Sequence, residues 1–273
     1  MINMLICGNE GVFDGMILCT LSLAKTTKSP IRLYVGTMSL TDIDPRYTAI
    51  TALEAELLER ILRSGNPQNR VILWDVGEQF RSELLNSRNM KSVYTPYAMI
   101  RLFADGIEDA PEKLIYTDTD VVFTSDAEEL YSIDVNNYHL AGARDYYGKV
   151  FISPNYLNSG VMVWNMEKMK EDGVFAACRS LCARKKMVLA DQSALNKCAK
   201  RKLIISPRFN EQHKTRPDTV ARHFSNVVCW LPFPHPVSRK PWRPERLKPH
   251  ELRLHGELIS EWKKIKENGY IYE

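Results

Sequence analysis

The sequence predicts an α/β fold with parallel strands, and three observations point to it. Short apolar runs alternate with helix-period segments, glycine and asparagine close the first run, and a carboxylate pair stands where a buried strand would be expected to continue. Residues 2–7 form the first apolar run, closed by Gly8 and Asn9. Residues 12–26 then space Ile17, Leu21 and Ala24 at helical intervals, which reads as strand, turn and helix. Residues 31–35 give a second strand. Leu53, Leu57, Leu58 and Ile61 mark the apolar face of a second helix, and residues 71–74 give a third strand. Such alternation implies helical crossovers between parallel strands.

Residues 92–104 read as a helix carrying Arg101, followed by apolar runs at 113–116 and 121–123 around Thr117, Asp118, Thr119 and Asp120. Further on, 161–164 reads as a strand, 172–184 and 191–200 as helices and 203–205 as another strand. Residues 1–207 thus form one α/β core. From 208 to 273 the texture changes: prolines cluster at 232, 234, 236, 241, 244 and 249, helix signals fade, and Trp230 and Trp242 stand among basic residues. This irregular segment is expected to wrap over the core within the same domain.

Composition narrows the function. The 273 residues carry 37 Lys plus Arg against 33 Asp plus Glu, a net charge of +4, too small to argue for a nucleic-acid partner. Six cysteines without paired C-x-x-C spacing read as reduced thiols of a cytoplasmic protein, with Cys178 and Cys182 one helical turn apart. No apolar stretch reaches the roughly 18 residues of a membrane span, and the N-terminus lacks a basic leader. Residues 239–266 hold nine Lys or Arg and four Asp or Glu, typical of a solvated face; they also permit loose peripheral contact with the inner membrane face.

The chemistry centres on Asp118 and Asp120. In an extended segment residues two apart face the same side, so two carboxylates would project together at the end of a buried strand. Leaving both charged there is costly without a counter-ion, and a divalent cation supplies one while bridging to a diphosphate. A capped turn is the alternative. Asp42 and Asp44 share the spacing but stand between Thr41 and Pro45, where turn or N-cap duty suffices. Context separates the pairs.

Five ordered blocks carry a resemblance: Tyr97 to Arg101, then Ile115-Tyr-Thr-Asp118-Thr-Asp120-Val-Val, Tyr156-Leu-Asn158-Ser-Gly160-Val-Met-Val-Trp-Asn165, Asp191-Gln192-Ser-Ala-Leu-Asn196, and His223-Phe224 with Lys240-Pro241-Trp242. Together they are similar to glycosyltransferase family 8, which includes bacterial lipooligosaccharide galactosyltransferases and glycogenin. The resemblance implies a Rossmann-like, GT-A type nucleotide-sugar domain with a mostly parallel sheet and retaining transfer from a UDP-sugar with Mn²⁺ or Mg²⁺. It makes Asp118, Asp120 and His223 the metal ligands, and two carboxylates with one imidazole suit manganese better than a thiolate-preferring structural zinc. It places Cys7, Gly8, Asn9, Glu10, Arg101, Asp118, Thr119, Asn158, Asp191, Gln192 and Lys240 on the donor, with Gln192 and Asp191 at the catalytic position.

Each residue has a plainer reading. Arg101 would serve as a helix ion-pair partner, Asn158 as a turn residue, Asp191 as an N-cap and Gln192 as a first-turn polar group; His223 would be a structural histidine and Lys240 a solvated lysine. The strand end departs from the family: Asn9-Glu10-Gly11-Val12 lacks an aromatic partner for uracil, although Asn9 can bond a pyrimidine edge and Glu10 a ribose hydroxyl. The reading is a metal-dependent hexosyltransferase moving glucose or galactose to a glycan, lipid-linked or protein acceptor in bacterial glycan assembly. A nucleotidyltransferase joining UTP to a sugar phosphate and a non-catalytic nucleotide-sugar-binding module are the alternatives.

Overall fold

A computed structural model describes residues 1–91, 95–229, 233 and 235–272, apart from the side chains of residues 91, 227–229 and 236. The expected start of the helix at 92–94, the cysteine side chain at 229, Trp230 and the prolines at 232 and 234 therefore lie outside the described residues, as does the side chain of the proline at 236.

The strands in chain order are β1 (Ile2–Cys7), β2 (Ile31–Thr37), β3 (Arg70–Asp75), β4 (Lys113–Thr117), β5 (Val121–Phe123), β6 (Leu140–Arg144), β7 (Leu157–Asn165), β8 (Lys202–Ile204), β9 (Ala221–His223), β10 (Val227–Cys229) and β11 (His235–Val237). Seven form the central sheet in the order β3-β2-β1-β4-β7-β6-β8. All neighbours are parallel except at β7, which runs antiparallel to both β4 and β6. The sheet is thus mostly parallel with flanking helices, as expected. β5 and β9 form a separate antiparallel pair, and so do β10 and β11.

Burial explains the order. β1 and β7 are buried along nearly their whole length, as strands covered on both faces are. β3 is an edge strand with Ile72 and Leu73 partly exposed, and the Glu59 carboxylate accepts the outward Val71 N–H at 2.9 Å. Helix Ala52–Gly65 starts in a reciprocal cap: Thr51 accepts from the Glu54 N–H, and the Glu54 carboxylate accepts from the Thr51 N–H. Asp42 and Asp44 keep the turn role, paired with Arg81 and Arg46, while Thr51 takes the N-cap.

Three elements differ from expectation. The Arg101 segment is wound as a 3₁₀ helix over Pro96–Gly106, with proline at its first position. The helix expected over 172–184 is Val174–Arg184, and a helix not expected, Met166–Glu171, precedes it, the two separated at Gly173, whose φ of 61° only glycine adopts readily. The C-terminal segment is more regular than its prolines suggest: helix Pro249–Leu254 is followed by helix Gly256–Glu267, which buries Leu258, Ile259, Trp262 and Ile265. Trp262 donates its indole N–H to Asp14 at 2.9 Å, fastening this helix to helix Phe13–Thr26.

Candidate active site

The carboxylate pair lies in the turn between β4 and β5, not in a continuing strand. Three segments fix it. The Asp118 N–H donates to the Gly160 carbonyl at 2.8 Å, tying the turn to β7, and the Asp120 carbonyl accepts the Phe224 N–H at 2.9 Å. The β5–β9 register sets Val121 opposite His223, so the imidazole arrives beside the pair from a point a hundred residues further along. Its Nε2 stands 3.3 Å from Asp120 Oδ1 and 3.7 Å from Asp118 Oδ2. Gly160 makes room for the ring: a Cβ there would lie 2.1 Å from His223 Cε1.

The imidazole is oriented from behind. Asn210 donates through Nδ2 to Asn158 Oδ1 at 2.9 Å, which turns its own Oδ1 toward His223 Nδ1 at 3.1 Å. The network thereby assigns a proton to Nδ1 and leaves Nε2 as the nitrogen that faces the two carboxylates. One nitrogen and the oxygens of two carboxylates, all within 4.8 Å of one another, form a set of lone pairs that a divalent cation would satisfy. The described residues therefore fit such an ion, with two hard oxygen ligands and one borderline nitrogen.

Cationic side chains surround the turn. Arg101, 4% exposed, donates to Asp118 Oδ1 at 2.6 Å and to the Ser159 carbonyl at 2.8 Å; its Nε lies 3.3 Å from Asp191 Oδ2, and the guanidinium covers the Tyr116 ring. Tyr116 also donates to Asp118 Oδ1 at 2.8 Å. Lys240 pairs with Asp120 and donates to the Phe224 carbonyl at 3.2 Å. Burial alone would raise the Asp120 carboxyl; Lys240 and His223 outweigh it and hold the group far below the usual carboxylate range. Asp191 goes the other way, pushed up by burial that Arg101 only partly offsets.

These groups line a cleft of about 540 Å³. It collects Cys7, Gly8, Asn9, Arg101, Asp118, Thr119, Asp120, Asn158, Asp191, Gln192, His223 and Lys240 from the sequence reading. Glu10 is exposed in the 3₁₀ turn Glu10–Val12 and does not line it. Burial pushes the Cys7 thiol well above its ordinary value, so this side chain is a neutral wall. Asn9 donates to the Arg46 carbonyl at 3.1 Å. Asp191 sits in the first turn of helix Ala190–Cys198 behind Leu189, which takes the N-cap position.

Sequence reasoning missed Asp145. It follows β6 at the cleft, and its carboxylate accepts from the Tyr147 and Gly148 N–H groups at 3.1 and 2.6 Å, from Asn158 at 2.9 Å and from Gln192 Nε2 at 3.2 Å. Gln192 is thereby held at both ends, since its Oε1 accepts the Ser159 N–H at 3.0 Å. An acid at the end of a sheet strand, as Asp118 is, was the available signal. Asn210 had none.

The family model for glycosyl transferase family 8 matches residues 4–243. The chain belongs to that family. A Haemophilus influenzae protein named as a glycosyltransferase is 33% identical over 131 residues, 43% of this chain and 39% of its own length. Glycosyltransferase GlyA of Streptococcus pneumoniae is 29% identical over 129 residues, 44% of this chain and 18% of its own. The alignments thus span less than half the length of these curated relatives. Among solved structures, the glycosyltransferase GlyE of Streptococcus pneumoniae superposes with a TM-score of 0.70 at 16% identity, covering 99% of this chain and 64% of that one. The galactosyltransferase LgtC in complex with donor and acceptor sugar analogues gives 0.62 at 18% identity, with 95% of each chain covered. This member of family 8 therefore has the GT-A type fold.

Proposed function

We propose that the chain is a metal-dependent, retaining hexosyltransferase that moves glucose or galactose from a UDP-sugar to an acceptor hydroxyl. The observation that carries this reading is the convergence of Asp118, Asp120 and His223 within 4.8 Å, in the cleft that also holds Lys240 and Arg101. Those three side chains would hold Mn²⁺ or Mg²⁺, which when bound neutralises charge on the donor diphosphate. Lys240 supplies a charge-assisted donor to the leaving phosphate, and Arg101 fixes the direction of the Asp118 carboxylate. Asn9 offers its amide to the base, while Asn158 and Asp191 offer directional bonds to the sugar.

The acids and the amide near the sugar are poorly suited to covalent attack. Asp145 already accepts four N–H donors, Asp191 is paired with Arg101, and Gln192 is a neutral amide anchored at both ends. The reading therefore takes same-face attack by the acceptor hydroxyl, with the departing phosphate oxygen accepting its proton. Gln192 then positions the sugar and supports positive charge at the anomeric carbon.

A panel of nucleotide sugars tests the proposal by nucleoside diphosphate released with and without Mn²⁺. UDP-glucose or UDP-galactose should be hydrolysed slowly even without acceptor, and chelator or Asp120→Ala should abolish release. Pyrophosphate release from UTP and a sugar phosphate would instead identify a nucleotidyltransferase, and donor binding without turnover would identify a binding module.

A further inference from the structure

One lip of the cleft has a surface the sugar chemistry does not require. Val150, Phe151 and Ile152, on and just after the short helix Gly148–Phe151, are 70, 69 and 59% exposed, and Val188 is 86% exposed. Phe151, Ile152 and the neighbouring Leu189 line the cleft itself. The two stretches belong to one rim: Gln192 bonds Asp145 at 3.2 Å and Tyr156 meets Ser193 at 2.9 Å, which seats the start of helix Ala190–Cys198 against the 145–156 loop. Scattered exposed apolar residues are ordinary; consecutive ones bordering a polar active site are not.

Apart from Asp145, which accepts N–H donors of the loop and of Gln192, and Asp191, which pairs with Arg101, charge on this rim has one sign. Residues 146–156 and 180–190 carry Lys149, Arg184, Lys185 and Lys186 and no Asp or Glu. None of these four cations is ion-paired among the described residues; Lys149 lies over the Tyr146 ring instead. Large apolar side chains flanked by unpaired lysines match the boundary of an anionic bilayer, where the apolar groups enter the acyl region and the cations stay among the headgroups. An acidic protein surface would complement the lysines but leave Val150, Phe151 and Val188 without a purpose.

We infer that this rim docks the cleft mouth onto an anionic membrane surface, so that the acceptor is a glycan carried by a lipid in that membrane. The identity of the acceptor rests on the hexosyltransferase reading; the docking itself does not. Co-sedimentation with vesicles of phosphatidylcholine alone and with added phosphatidylglycerol tests it without any turnover. Binding should require the anionic lipid. It should fall at least tenfold in K149E/K185E/K186E, because each cation near an anionic leaflet contributes roughly fivefold. Val150→Ser with Val188→Ser should also weaken it, while both variants keep the parent's thermal melt and acceptor-free donor hydrolysis. Equal binding to neutral vesicles, parent-like binding by the folded variants, no vesicle binding at all, or capture by polyglutamate in place of vesicles would each overturn the inference. Loss of donor hydrolysis in the parent protein would count against the hexosyltransferase reading and leave the vesicle result standing.

Discussion

Asn210 turns its side-chain carbonyl to His223 Nδ1 at 3.1 Å, and so decides which ring nitrogen faces Asp118 and Asp120. Removing that carbonyl frees the ring to rotate and to change tautomer. Asn210→Ala is expected to weaken Mn²⁺ binding by about 10- to 100-fold, the usual effect of losing a group that orients a ligand. Electron paramagnetic resonance titration of free Mn²⁺ reads this directly, and higher metal should restore part of the donor hydrolysis.

Gly160 tests the same imidazole from the front. A Cβ placed 2.1 Å from His223 Cε1 forces the ring or β7 to move. Gly160→Ala should cost about 1 to 3 kcal/mol in urea unfolding and weaken Mn²⁺ binding as well. Gly142→Ala is the control, because its nearest neighbours would stand at 3.5 Å, in ordinary contact. It should leave metal affinity unchanged.

Glu251 anchors the C-terminal segment beneath β9. It pairs with Arg222 at 3.1 Å and with His255 at 3.2 Å, and accepts the Thr215 hydroxyl at 2.8 Å. Burial opposes its charge, but the His255 hydrogen bond and Arg222 prevail and hold the carboxyl well below its usual range. A carboxyl depressed in the folded state stabilises fully above its unfolded value of about 4.5, and that contribution is lost as pH falls through the folded value. The parent's melting temperature should therefore decline below about pH 4.5. Glu251→Gln should cost about 3 kcal/mol at neutral pH, because Arg222 is left buried without its partner, and its acid limb should be flatter. Parallel pH profiles for the two proteins would contradict this.

Trp262 predicts the weight of the last helix. It is almost wholly buried against helix Phe13–Thr26 and holds Asp14. Trp262→Ala should destabilise the chain by about 3 to 5 kcal/mol in chemical denaturation. If the C-terminal segment were a loose cover, the midpoint would scarcely move.

What could be read from the sequence follows physical type. β1, β2 and β4 announced themselves because strands buried on both faces need unbroken apolar runs. Asp118 and Asp120 were visible as charge inside such a run, and the ordered blocks pointed to His223 and Lys240. Asn210, whose work is to orient another side chain, carries no periodic or compositional mark, and Asp145 is marked only by its place after β6, a strand the sequence reading did not include. Helix Gly256–Glu267 did carry one, since Leu258, Ile259, Trp262 and Ile265 share a helical face, but the basic residues between them read as a solvated end. The 3₁₀ winding of Pro96–Gly106 has the same apolar spacing signal as an α-helix, so only coordinates separate the two.

The Glu59 carboxylate resting on the Val71 N–H has a consequence outside the cleft. The border of the sheet at β3 is the place where a strand of another molecule would add, and an anion already occupies one of its outward donors. Self-association by strand addition is thereby discouraged on that side, even though Ile72 and Leu73 leave it greasy.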